Sequence, residues 1–144
     1  MKIIRYRNAE GRIGHGALRE DGAVHVITGD IFGDYAVTGE QALALKVLTP
    51  VVPPAILCIG LNYRRHAAET GVKIPEQPVL FMKSPGALQN PGDPIEIPTR
   101  LRSDMVDYEG ELAVVIGKAC KNAPRHRALE YVLGYSCAND VSAR

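Results

Sequence analysis

The chain lacks an excess of either charge: 17 Lys and Arg stand against 16 Asp and Glu, a formal net charge of +1 over 144 residues. Nucleic-acid backbones and anionic membrane surfaces are bound through a basic excess or patch, so partners of both kinds are disfavoured. No apolar run approaches the roughly 18 to 20 residues that span a bilayer. Met1-Lys2-Ile3-Ile4-Arg5 also lacks the apolar core of a secretory signal, and the expected address is cytoplasmic. The three cysteines, Cys58, Cys120 and Cys137, form no CxxC pair and sit among apolar or small residues, which reads as buried free thiols. Proline is missing before Pro50, although there are ten prolines in all, so loops should concentrate in the later part of the chain.

What is present reads as mixed β with short helices, an α+β chain in which strands dominate. Lys2 to Tyr6, Arg12 to Leu18 and Ala23 to Ile27 are β-prone runs separated by the turns Asn8-Ala9-Glu10-Gly11 and Glu20-Asp21-Gly22, the pattern of a small antiparallel meander. Thr38-Gly39-Glu40-Gln41 has the spacing of a capping box and predicts a short helix over Gln41 to Leu48. Residues 1–49 are therefore expected to form a small N-terminal β module with one helix. Residues 50–54 form a Pro-rich linker, since proline stops a helix and restrains the residue before it.

Residues 55–144 begin with an apolar run, Ala55 to Gly60, expected as a buried strand. Asn62 can cap a short helix from Tyr63 to Thr70 that Gly71 ends, and Val79 to Met82 reads as a second buried strand. Ser84 to Asp104 is dominated by Pro, Gly and polar residues and should be an extended excursion. Val106 to Ile116 is the strongest strand; a helix after Pro124, stopped by Gly134, and a last strand from Tyr135 to Ala138 complete the pattern.

Three groups of residues can carry chemistry. On a strand, side chains repeat on one face every second residue at roughly 3.3 Å per step, so Glu109 and Glu111 project together with Cα atoms roughly 7 Å apart. Tyr108, Leu112, Val114 and Ile116 take the other face and are expected to anchor it in a core. Asp140 follows the apolar strand that starts at Tyr135, at a strand end where functional groups commonly sit. Together Glu109, Glu111 and Asp140 form an all-oxygen set suited to a hard cation such as Mg2+ or Mn2+. On a helix, His66 and Glu69 are i and i+3 and share one face, so the carboxylate can orient the imidazole as a general base. His15, His25 and His126 have no such partner and read as surface residues.

Ile59-Gly60-Leu61-Asn62-Tyr63 with His66 and Glu69, Pro78 to Lys83, Pro91-Gly92-Asp93-Pro94-Ile95, Asp107 to Gly117, and Gly134-Tyr135 with Ala138 to Arg144 occur in an order and spacing that resemble the fumarylacetoacetate hydrolase family. The resemblance covers roughly Ala55 to Arg144. It implies a β-sandwich-like roll, usually a homodimer, acting on small 2-oxo and β-diketo acids with a divalent cation. Its metal carboxylates map onto Glu109, Glu111 and Asp140, and its catalytic dyad, carried on a helical lid, onto His66 and Glu69. Arg144 and Lys83 are its candidate substrate contacts, with structural ion pairs as the alternative. The expected activity is hydrolysis of a C–C bond in an acylpyruvate- or fumarylacetoacetate-type acid. Decarboxylation or isomerisation of related dioic acids is the alternative, and a non-catalytic truncated member is the other class. Family members continue beyond the Ser142-Ala143-Arg144 motif, so a fold incomplete at its C-terminal end is expected, inactive by itself.

Overall fold

The structure, a computed structural model, describes residues 1–143; Arg144 lies outside the described residues. Strands dominate, with one six-residue α-helix and two 3-10 segments among the described residues. The chain forms two compact units, Met1–Ile27 with Val37–Asp93, and Thr28–Ala36 with Pro94 onward.

A five-stranded sheet in the order β4-β3-β2-β1-β5 organises the N-terminal residues. Its members are β1 (Lys2–Arg7), β2 (Ile13–Leu18), β3 (Val24–Gly29), β4 (Tyr35–Gln41) and β5 (Lys46–Leu48). The expected meander is there: β1 pairs antiparallel with β2, and β2 with β3. The turn residues act as their chemistry suggests. Gly11 and Gly22 take positive φ, Asn8 Oδ1 accepts from the Arg12 N–H, and Asp21 Oδ1 accepts from the Ala23 N–H. Tyr6, Ala17, Val24, Ile27 and Leu48 are buried. The Tyr6 ring lies against Gly16, where an added Cβ would also run into Val24 and the His25 carbonyl, so only glycine fits that crossing.

The helix expected over Gln41 to Leu48 does not form. Thr38 Oγ1 donates to the Val26 carbonyl and accepts from the Glu40 N–H, so its hydroxyl is spent on the neighbouring strand and a local turn, not on capping. Leu45 N–H goes to the Arg7 carbonyl, and β5 then pairs antiparallel with β1 through Arg5↔Leu48 and Arg7↔Lys46. Non-local strand pairing has overridden local propensity. His15 also departs from the surface reading: it is partly buried with Nε2 shielded from solvent, and His25 Nδ1 lies 3.3 Å from the Thr38 carbonyl oxygen, whereas His126 is exposed.

The first unit continues with β6 (Ile56–Gly60), α1 (Arg64–Glu69) and β7 (Val79–Lys83). β6 and β7 pair antiparallel with each other in a two-stranded ribbon, Ile56↔Lys83 to Gly60↔Val79. The expectation that both strands are buried is corrected here: Leu57 is 62% and Met82 65% exposed, because a two-stranded ribbon covers neither of its own faces. Helix α1 starts after Tyr63 with no side-chain cap, so Asn62 does not serve as one, and it ends at Thr70 before Gly71 with φ +66°. Beyond a 3-10 turn at Pro85–Ala87 the excursion is irregular, as expected, and its Asn90-to-Asp93 turn is fastened to β5. Lys46 Nζ donates to Asp93 Oδ2 at 2.7 Å, Asn90 Nδ2 donates to the same oxygen at 3.0 Å, and Thr49 N–H donates to Asn90 Oδ1 at 3.2 Å.

This fastening has a pH signature. The hydrogen bonds from Lys46 and then Asn90 hold the Asp93 carboxyl below the usual carboxylate range, with the Lys46 and Arg7 charges acting the same way. A carboxylate whose folded pKa is depressed adds stability above its unfolded pKa and loses it as pH falls through the folded value. Urea midpoints measured across the acid range should therefore fall less steeply for Asp93→Asn than for the native protein. Parallel curves would show that the contact does not contribute.

The second unit carries β8 (Val106–Asp107), β9 (Gly110–Ile116), a 3-10 segment Arg125–Tyr131, β10 (Val132–Asn139) and β11 (Ser142–Ala143). A 3-10 segment without buried residues thus replaces the helix expected after Pro124, and Gly134 lies within β10 beside a register shift at Val132/Gly134 instead of stopping a helix. The face expected to anchor β9 in a core is open: Tyr108 is 86% and Leu112 60% exposed, with Val114 and Ile116 also exposed. Cys120 and Cys137 are likewise exposed and Cys58 only half-buried, so none of the three thiols is in a core.

Candidate metal and acid-base site

The expected strand from Val106 to Ile116 is broken at Tyr108 and Glu109, where β8 ends and β9 has not begun. The opposite arm breaks at the same level, between β10 and β11. The register nevertheless does not slip across the break. Asp107↔Ser142 on one side and Gly110↔Asn139 on the other belong to a single unshifted pairing, which sets Glu109 opposite Asp140. The Asp140 N–H donates to the Glu109 carbonyl at 2.8 Å, one step beyond the ladder that pairs Glu111 with Ala138.

Cross-strand partners share a face, and so do residues two apart on one strand, so Glu109, Glu111 and Asp140 project from the same face at one end of the β9–β10 ribbon. That face is the more sheltered one, with Glu109, Glu111, Ala113 and Val115 half-buried and the alternating residues exposed. Directly opposed Cα atoms lie about 4.5–5.5 Å apart. Like charges opposite each other on a ladder destabilise it, a cost that a cation held by Glu109 and Asp140 would offset. By donor chemistry and by register the three carboxylates fit a hard divalent ion. Their side chains do not close into a liganding group: among the described residues no three His, Cys, Asp or Glu side chains converge at metal-binding distance.

Asn139 is a participant that sequence reasoning passed over. Its Oδ1 accepts from the Glu109 N–H at 3.1 Å, so the break in β8–β9 is held by a side chain from the opposite arm. Asn directly before Asp at a strand end is a weak signal, and nothing short of the register assigns its partner.

His66 and Glu69 belong to the first unit, on α1. Six residues is short for a helix to hold by propensity alone, and Ala67 is its only buried residue. His66 is half-buried and Glu69 exposed on the expected shared side, and no hydrogen bond joins their side chains among the described residues. Lys83 ends β7 with Nζ 5.7 Å from the centroid of the Phe81 ring on the same strand face, a cation–π contact worth about 0.5–1 kcal/mol at exposed sites. Arg144, the other substrate-contact candidate, lies outside the described residues.

Residues 55–144 match the model of the fumarylacetoacetate (FAA) hydrolase C-terminal domain, and residues 1–49 match the Rv2993c-like N-terminal domain. The chain belongs to the fumarylacetoacetate hydrolase family. It is 46% identical over 136 residues to an uncharacterized protein of Archaeoglobus fulgidus, covering 94% of this chain and 50% of that protein. It is 45% identical over 101 residues to the protein named oxaloacetate tautomerase fahd2, mitochondrial, of Xenopus laevis, covering 69% of this chain and 31% of the relative. The crystal structure of 5-carboxymethyl-2-hydroxymuconate delta-isomerase from Mycobacterium smegmatis is similar with a TM-score of 0.83 at 36% identity, covering 100% of this chain and 56% of that one. The chain thus spans about half the length, or less, of the relatives it matches. Among the described residues no helix is long and apolar enough to cross a membrane.

Proposed function

We propose that the whole protein is a divalent-metal-dependent enzyme of small 2-oxo and β-diketo acids, hydrolysing a C–C bond of acylpyruvate or fumarylacetoacetate type. The observation that carries this reading is the unshifted register that opposes Glu109 to Asp140 with Glu111 two residues along on the same face. Glu109, Glu111 and Asp140 would hold Mg2+ or Mn2+. When bound, such a cation supplies Lewis-acid stabilisation of negative charge developing on a substrate oxygen.

The remaining chemistry falls to the chain's own side chains. Glu69 accepts the N–H of one His66 ring nitrogen and fixes the tautomer; the other nitrogen takes a proton from water as the water oxygen adds to the distal carbonyl. The C–C bond then breaks, its electron pair passing to the oxo-acid fragment as an enolate that is reprotonated to the keto acid. The distal fragment leaves as a carboxylic acid. Lys83 and Arg144 are the cationic groups of suitable charge for the substrate's carboxylates. A homodimer built on a sandwich-like roll and a cytoplasmic address belong to the same proposal.

The named relatives favour a second reading, in which the protein isomerises or tautomerises a 2-oxo or 2-hydroxydiene acid, since one is a tautomerase and another an isomerase. The same base would then carry a proton between carbon and oxygen with no water added. The test is an assay of the whole protein with acetylpyruvate and with the enol form of oxaloacetate, after chelation and after readdition of Mn2+. Turnover of at least one substrate is expected to vanish on chelation and return with the ion. Turnover that is unaffected by chelation would overturn both readings.

A further inference from the structure

We infer that Asn139 is a positioning residue for the carboxylate site, holding Glu109 out of the regular ladder so that its side chain and that of Asp140 can share one ion. The inference rests on the reading of Glu109, Glu111 and Asp140 as cation ligands and goes beyond it to a residue that binds no substrate or ion.

In a regular antiparallel ladder a hydrogen-bonded pair exchanges two N–H···O=C bonds. At the Glu109–Asp140 pair one such bond runs from the Asp140 N–H to the Glu109 carbonyl at 2.8 Å, while the Glu109 N–H goes to Asn139 Oδ1 at 3.1 Å. The side-chain amide oxygen of Asn139 takes the Glu109 N–H within the stretch where the pairing is interrupted. The interruption covers Tyr108 and Glu109 on one arm and Asp140 and Val141 on the other, while Asp107↔Ser142 before it and Gly110↔Asn139 after it keep the same register. Gly110, opposite Asn139, has nothing within 4 Å of where a Cβ would stand, so the asparagine side chain is free to reach along the ladder to the neighbouring residue. A short polar side chain bonding a nearby backbone N–H is a standard competitor of the ladder. Here the competition takes one of the two backbone bonds from the Glu109–Asp140 pair, directly beside the two carboxylates. Groups that orient ion ligands without touching the ion typically cost 10–100-fold in affinity when lost.

The test uses the whole protein with Mn2+ as the probe, and Asn139→Ala, Asn139→Leu and Asn139→Asp as variants. Asn139→Asp keeps an acceptor oxygen of the same reach; the other two remove it, and leucine nearly preserves size. Titration calorimetry should give an affinity about 10–100-fold weaker for Asn139→Ala and Asn139→Leu than for the native protein, with Asn139→Asp retaining it. Amide exchange in the metal-free protein supplies a readout independent of turnover: the Glu109 N–H should exchange faster in the alanine and leucine variants and not in the aspartate variant. If the native protein bound no Mn2+, the ligand reading itself would fail. Native binding with unchanged affinity in Asn139→Leu, or equal weakening in Asn139→Asp and Asn139→Leu, would overturn the role of Asn139 while leaving that reading intact.

Discussion

Glu111→Ala in the whole protein is expected to weaken Mg2+ or Mn2+ binding by more than the 10–100-fold typical of losing a group outside the ligand set, and to abolish turnover with it. Glu111 lies inside β9, opposite Ala138, so its backbone is held by the ladder whatever the side chain. The substitution therefore deletes a carboxylate without moving Glu109 or Asp140, and leaves two ligands where a hard divalent cation needs several oxygens. Leu112→Ala is the matched control. Its side chain leaves the same strand from the opposite, exposed face and should change the affinity little. Calorimetric titration of the two variants beside the native protein separates the outcomes. Equal affinities for native protein and Glu111→Ala would remove Glu111 from the ion site.

His66→Ala is the second substitution with a large expected effect, and it distinguishes reactions that share one ion. Loss of a general base commonly costs about 10²–10⁴ in rate. Acetylpyruvate cleavage needs water deprotonated beside the distal carbonyl and should fall by that factor. Decarboxylation of oxaloacetate needs no such base and should keep most of its rate. The measurement is kcat on both substrates with saturating Mg2+. Equal loss on both would assign His66 to organising α1 and not to activating water, and undamaged acetylpyruvate cleavage would take it out of the mechanism.

What was legible in the sequence was whatever local chemistry decides. Asn8, Gly11, Asp21 and Gly22 mark turns by side-chain acceptors and positive φ, and the strands between them pair as the alternation implies. The short helix around His66 and its stop at Gly71 were equally local. The capping-box pattern at Thr38 misled because its hydroxyl found the Val26 carbonyl, a partner 12 residues away that no window of sequence displays. Burial was misjudged for Leu57, Leu112 and Val114 for a related reason: apolar alternation reports which residues share a face, not whether anything lies against it. For the carboxylates, the spacing of Glu109 and Glu111 foretold their common face. The opposition of Asp140 to Glu109, and the intervention of Asn139 between them, depend on a register across more than 20 residues of intervening chain.

The central claim is that one ion joins the two arms of this hairpin. Anomalous scattering from crystals of the whole protein grown with Mn2+ tests it most directly. A single peak ligated by carboxylate oxygens of Glu109, Glu111 and Asp140 is the expected result. An ordered Mn2+ bound elsewhere, with these three side chains taking no part, would contradict the account.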